Sequence, residues 1–192
     1  MLFSSTNLPP KLSITRASAV LDACGVIAYP TEAVWGLGCD PFSESAVVRI
    51  LTMKQRQSGM GLILIAADIK QLSPFLSGLS EPQLQVLKDS WPGPQTWLVP
   101  NNFVAPPWIT GERDTLALRV TDHPIASALC RSHGGPLVST SANPHGFPPA
   151  KSLLKVNLYF RTQLDYVVPG LLGKSIQPTP IKHLITGESV RS

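Results

Sequence analysis

Cysteine is scarce and unpaired in this chain. Cys24, Cys39 and Cys130 are odd in number and form no Cys-x-x-Cys pair, which argues against a disulfide framework and against a thiolate metal site. Three reduced thiols are expected, and Cys24 and Cys130 end apolar helical patterns, where a buried structural cysteine is the ordinary role. Long apolar runs are missing too. Those at 62–67 and 116–120 fall far short of the roughly 20 residues that cross a bilayer. The start, Met1-Leu2-Phe3-Ser4-Ser5-Thr6-Asn7, has neither a basic segment before an apolar core nor an Arg-rich amphipathic pattern, so no targeting peptide is read and a cytoplasmic location is expected. His123, His133, His145 and His183 show no ligand spacing and read as surface or loop residues, and no protein metal site is expected. No Walker A sequence occurs. Gly36-Leu37-Gly38 is not a dinucleotide fingerprint either, because no third glycine follows and Pro41 interrupts the helix.

What is present is enough apolar material for one core: 43% of 192 residues. A single domain over residues 1–192 is the expectation. The 19 prolines and 14 glycines punctuate apolar runs instead of clustering, a folded, loop-rich pattern. The net charge of +4 is uneven, with seven basic residues against two acidic ones from Arg131 onward. That excess suits an anionic ligand or RNA, and dispersed solvated lysines give the same count. Apolar spacing predicts helices over 13–23 with Ser13 as cap, 43–53 with Ser43 as cap, 81–90 and 124–131. Short apolar runs predict strands at 26–29, 62–65, 96–99, 116–120 and 137–139. The mixture implies an α/β sheet domain.

Three segments carry groups suited to chemistry. Tyr29-Pro30-Thr31-Glu32-Ala33-Val34-Trp35-Gly36-Leu37-Gly38 leaves a strand through proline and enters a glycine-containing loop that lets backbone N–H groups approach a ligand; Thr31 and Glu32 equally suit a plain turn. Lys54-Gln55-Arg56 puts two cations at a helix exit, either to complement the helix dipole or to clamp a phosphate or carboxylate. Ser139-Thr140-Ser141-Ala142-Asn143 follows a strand with small donors that fit phosphate oxygens, an amino-acid head group or a capped turn. Arg119 interrupts the apolar strand Leu116-Ala117-Leu118-Arg119-Val120. It needs an acceptor there, either a ligand carboxylate or an ion pair with Glu32 or Asp122.

The ordered set is more specific than its parts. Tyr-Pro-Thr-Glu-x-x-x-Gly-Leu-Gly, then Lys-x-Arg, Trp91-Pro92-Gly93-Pro94-x-Thr96, Ala117-Leu118-Arg119-Val120 and Ser139-Thr140-Ser141-Ala142-Asn143 resembles the YrdC-like threonylcarbamoyl-AMP synthase family. The resemblance runs from about residue 10 to residue 192 and is closest to the short, single-domain bacterial members. It implies a twisted mixed sheet flanked by helices, and condensation of L-threonine, bicarbonate and ATP to threonylcarbamoyl-AMP and pyrophosphate with a divalent ion, Mg²⁺. The product would serve proteins that modify tRNAs reading ANN codons. By the same resemblance, Thr31, Arg119, Ser139 and Thr179 hold threonine, while Lys54, Arg56, Ser141, Asn143 and Arg191 surround ATP, with Lys54 and Arg56 as the catalytic cations. Gln57, Gln95 and His183 depart from the family pattern. The alternatives are an RNA-binding module without catalysis and a carbamoyl-phosphate-activating relative, which would carry Cys-x-x-Cys pairs that this chain lacks.

Overall fold

A computed structural model describes residues 11–191, apart from 57, 176 and 178. Gln57 therefore lies outside the described residues, as do the side chains of Ser58 and Arg191. Among the described residues, nine strands form one mixed sheet in the order β7-β1-β2-β6-β3-β5-β4-β8-β9. In chain order they are β1 (Ile27–Pro30), β2 (Trp35–Gly38), β3 (Ile63–Ala66), β4 (Thr96–Pro100), β5 (Thr115–Val120), β6 (Leu137–Ser141), β7 (Tyr166–Val167), β8 (Ile181–His183) and β9 (Ser189–Arg191). The helices are α1 (Lys11–Asp22), α2 (Glu44–Lys54), α3 (Glu81–Ser90), α4 (Pro107–Thr110), α5 (Pro124–His133) and α6 (Leu153–Phe160).

Local signals set several boundaries. Ser43 caps α2 by accepting from the Ala46 N–H, with Glu44 in the first turn and Lys54 in the last, each at the favourable end of the helix dipole. Pro124 starts α5, and Gly134 ends it at φ 82°, a left-handed cap that costs glycine nothing. α1, by contrast, runs from Lys11, which puts Ser13 inside the helix and not at its cap.

The alternation of side chains along each strand divides the core between the two faces of the sheet. Leu64, Ala66, Leu116, Leu118, Val120 and Val138 join the larger apolar cluster, which includes Val47, Ile50 and Leu51 of α2 and Phe160 of α6. Ile27, Tyr29, Ile65 and Leu137 join the smaller cluster under Ala17 and Leu21 of α1 and Ile125 and Leu129 of α5. Each such side chain contributes roughly 1.5–3 kcal/mol by leaving water. α1 and α5 cover only part of this second face. Leu137, Ser139 and Ser141 share that face of β6, so the chain passes from core to open sheet within one strand.

Three expectations are corrected. Gly36-Leu37-Gly38 is not a loop but the buried strand β2, paired antiparallel with β1 from Ile27↔Gly38 to Pro30↔Trp35. A Cβ at Gly38 would lie 2.7 Å from the Tyr29 ring, so glycine admits the ring, not a ligand. Cys24 is exposed, whereas Cys39 and Cys130 are buried, and all three are free thiols. His123 lies in the loop before α5, one of the two readings, but it is buried there at 4% exposed and not on the surface.

Candidate functional site

The uncovered part of the second face forms the floor of a cavity of about 360 Å³. Its position follows from register. β3 and β5 run parallel with Ile63 opposite Ala117 and Ile65 opposite Arg119, and β6 runs antiparallel to β3 with Ser139 opposite Ile63. Arg119 therefore lies toward the C-terminal ends of β3 and β5. Gly61, Arg113 and Ser141 lie toward the other end, ~13 Å away at about 3.3 Å per residue.

At the Arg119 end, the β1–β2 turn is closed by Thr31, whose N–H and hydroxyl both donate to the Val34 carbonyl, at 3.1 and 2.7 Å. Arg119 is 5% exposed and forms an ion pair of 3.1 Å with Glu32. Of the two acids expected as structural partners, Glu32 is the one engaged. Arg119 Nη1 donates to the Thr179 hydroxyl. The Arg119 Nε is buried without a hydrogen-bond partner among the described residues. Burial raises the Glu32 carboxyl pKa, but the Arg119 guanidinium and the Thr121 hydroxyl, donating at 2.5 Å, more than offset it, so the pKa falls below the usual carboxylate value.

The other end is held differently. α2 stops at Lys54, Gln55 turns the chain through φ 51°, and Arg56 reaches the Gly61 carbonyl at 2.8 Å. Arg56 Nε is also buried without a partner among the described residues, and burial lowers the pKa of the group. Lys54 donates to the carbonyls of Ser141 and, at 2.8 Å, Asn143, while its own carbonyl accepts from the His145 N–H at 2.7 Å. Burial, with Arg56 adding to it, lowers the Lys54 pKa to about 8. Asn143 Nδ2 donates to the Pro144 and Phe147 carbonyls, at 3.1 and 2.8 Å, which folds the loop back on itself.

Of the residues singled out by sequence, Thr31, Arg56, Arg119, Ser139, Ser141 and Thr179 line the cavity. Lys54 and Asn143 do not line it; they brace the turn that follows Ser141 at the end of β6. Arg191 ends β9, and its side chain lies outside the described residues. Sequence reading missed Arg113 and the walls supplied by Ile181 and Val190. No motif marks Arg113 or Val190, and β8 and β9 are three residues each, β8 reaching the site by pairing with β4 and β9 by pairing with β8. Among the described residues, no group of three or more His, Cys, Asp or Glu side chains could hold a metal ion. No helix there is long and apolar enough to cross a membrane.

Comparison with known proteins identifies the family. The Sua5/YciO/YrdC family model, described as telomere recombination, matches residues 19–191. The threonylcarbamoyl-AMP synthase of Cellvibrio japonicus is 55% identical over 178 residues, covering 93% of this chain and 94% of that protein. Among solved structures, P. abyssi Sua5 complexed with L-threonine is 31% identical with a TM-score of 0.85; the match covers 92% of this chain and 52% of that one. E. coli YciO is 26% identical with a TM-score of 0.81, covering 96% of this chain and 94% of that one. The chain thus spans about half the length of Sua5 and nearly all of the bacterial relatives.

Proposed function

The chain belongs to the Sua5/YciO/YrdC family, and from that premise we infer that it is a threonylcarbamoyl-AMP synthase, a nucleotidyltransferase that uses L-threonine, bicarbonate and ATP. The observation that carries the assignment is Arg119, a buried arginine on the cavity wall whose Nε donor has no partner among the described residues. A buried guanidinium on a cavity wall keeps donors beyond its ion pair, and an amino-acid carboxylate fits them. Thr31, Ser139 and Thr179 surround the rest of the threonine.

The amine of threonine takes up the carbon of bicarbonate, with loss of water, to give an N-carboxylate. One of its oxygens then attacks the α-phosphorus of ATP in line; the new P–O bond forms as the bond to the leaving pyrophosphate breaks. Arg56 and Ser141 hold the phosphates and offset the repulsion between two anions. Lys54 and Asn143 act there by fixing the turn that follows Ser141. Fixing three substrates together removes much of the entropic barrier, so no covalent enzyme intermediate is needed. If Mg²⁺ accompanied the nucleotide, phosphate oxygens and not a protein cluster would hold it, and it would supply charge neutralisation at the phosphates. The mixed anhydride is then consumed by tRNA-threonylcarbamoylation proteins acting on tRNAs that read ANN codons. One domain over residues 1–192, in the cytoplasm, belongs to the same reading.

The test is pyrophosphate release with ATP, threonine and bicarbonate, each omitted in turn. Release that requires all three supports the synthase. No threonine-dependent release, together with sub-micromolar RNA binding, would make the chain an RNA-binding module instead.

A further inference from the structure

We propose that Glu32 is a positioning residue for threonine recognition, acting through Arg119 without touching the ligand; this rests on the assignment of Arg119 to the threonine carboxylate. Glu32 does not line the main cavity. It borders a second cavity of about 330 Å³ on its far side, with Asp122, His123 and Lys174. The carboxylate thus stands behind the guanidinium as seen from the ligand.

Two anchors fix the plane of Arg119. Glu32 Oε2 pairs with Nη2 at 3.1 Å as an ion pair without hydrogen-bond geometry, Thr179 meets Nη1, and Nε is buried without a hydrogen-bond partner among the described residues. A guanidinium carries five donors in a rigid fork, so it can keep both anchors and still present donors to a ligand carboxylate in the cavity it lines. Glu32 is itself held. Thr121 donates to its Oε1 at 2.5 Å, and Thr121 is tied to β3 by its N–H to the Ala66 carbonyl at 3.0 Å. The Ser175 N–H donates to the Glu32 carbonyl at 3.0 Å, and a Cβ at Gly173 would lie 2.8 Å from the Glu32 Cα. Backbone and carboxylate are thus both fixed, and the Arg119 plane inherits that order.

A purely structural ion pair predicts something else. Its loss would lower the melting temperature and leave threonine affinity intact in the protein that remains folded. A positioning pair predicts selective loss of threonine, because an arginine anchored at one point samples orientations that misplace its donors.

The experiment measures threonine binding by calorimetry and steady-state kinetics on full-length Glu32→Gln, Thr121→Val, Arg119→Gln and the Glu32→Gln/Arg119→Gln double variant. Glu32→Gln should raise the threonine KM about tenfold and leave the ATP KM within about twofold. Thr121→Val, which keeps both charges, should raise the threonine KM about threefold and provides the readout should Glu32→Gln fail to fold. In the double variant, threonine affinity should fall no further than in Arg119→Gln alone. Unchanged threonine KM in a folded Glu32→Gln or Thr121→Val, or losses that add in the double variant, would overturn the proposal. A wild-type protein that neither binds threonine nor releases pyrophosphate fails the synthase reading instead, which separates the two.

Discussion

Arg119 and Arg56 line the same cavity, but the first faces a carboxylate and the second only peptide oxygens. Among the described residues no ion pair joins Lys54, Arg56 or Arg113 to an acid, whereas Arg119 is paired with Glu32. One end of the cavity is therefore close to neutral and geometrically fixed, and the other keeps an excess of positive charge. The difference matches the ligands inferred for each end. An amino acid is selected by shape and donor direction, which a pinned guanidinium supplies. A triphosphate needs positive potential, and an internal carboxylate there would compete with it.

Breaking the neutral end should give the largest effect. Arg119→Gln leaves Glu32 buried and unpaired, a change that costs about 3–5 kcal/mol in comparable pairs. Calorimetry should show threonine affinity falling by about 100-fold or more, together with a lower melting temperature on the same sample. A protein that melts early yet binds threonine normally would return Arg119 to a structural role. Arg119→Lys should weaken threonine more than ATP, since an ammonium cannot reproduce the fork.

Next comes the cationic end. Arg56→Ala should lower the adenylation rate by about tenfold or more, in line with ~1.5–3 kcal/mol for a charge-assisted hydrogen bond, and leave threonine binding unchanged. Threonine loss equal to ATP loss would erase the division of the cavity.

A pH experiment sharpens the same contrast. The folded-state pKa of Lys54 is near 8 and its ordinary value is 10.5, so between those pH values the unfolded chain binds more protons than the folded one. Stability from this group therefore rises with pH across that window, by on the order of 1–2 kcal/mol between pH 8 and 10. Burial raises the thiol pKa of Cys39 and of Cys130, the latter to about 12, and that contributes with the opposite sign. The measurement is urea unfolding of wild type against Lys54→Met without ligand: the difference should widen in favour of wild type as pH rises. A flat difference would show that the Lys54 ammonium is not held in a desolvated site.

The smallest effect is expected for Thr31→Ala. Its hydroxyl closes the turn on Val34, so threonine KM should rise only a few fold, consistent with about 0.5–1.5 kcal/mol for a neutral hydrogen bond. A shift in ATP KM instead would move Thr31 to the other end.

The sequence was most legible where the signal was local. The Ser43 cap, the α3 span Glu81–Ser90 and the strand around Arg119 follow from residues within a few positions of one another. β2 did not, because its two glycines weaken a strand pattern, and Gly38 is there for the Tyr29 ring, a contact between paired strands. Arg119 announced its need for an acceptor, and Glu32 and Asp122 were both available; only tertiary register chose between them. Lys54 looked like a phosphate ligand by its place beside Arg56. The structure turns its ammonium onto two carbonyls 87 and 89 residues away, which no spacing rule reveals.

The segment that follows α6 starts at one edge of the sheet, where β7 pairs with β1, and crosses to β8 beside β4 near the opposite edge. On the way it donates to the Thr31 and Glu32 carbonyls and delivers Thr179 to Arg119. For a chain still being synthesised this sets an order of events. Everything through β6 can pack while β1 remains an open edge, an invitation to pair with another chain. Arrival of β7 seals that edge, and about a dozen residues later Thr179 completes the Arg119 anchors. Maturation of the pocket and protection from aggregation are thus consecutive steps of one late docking event.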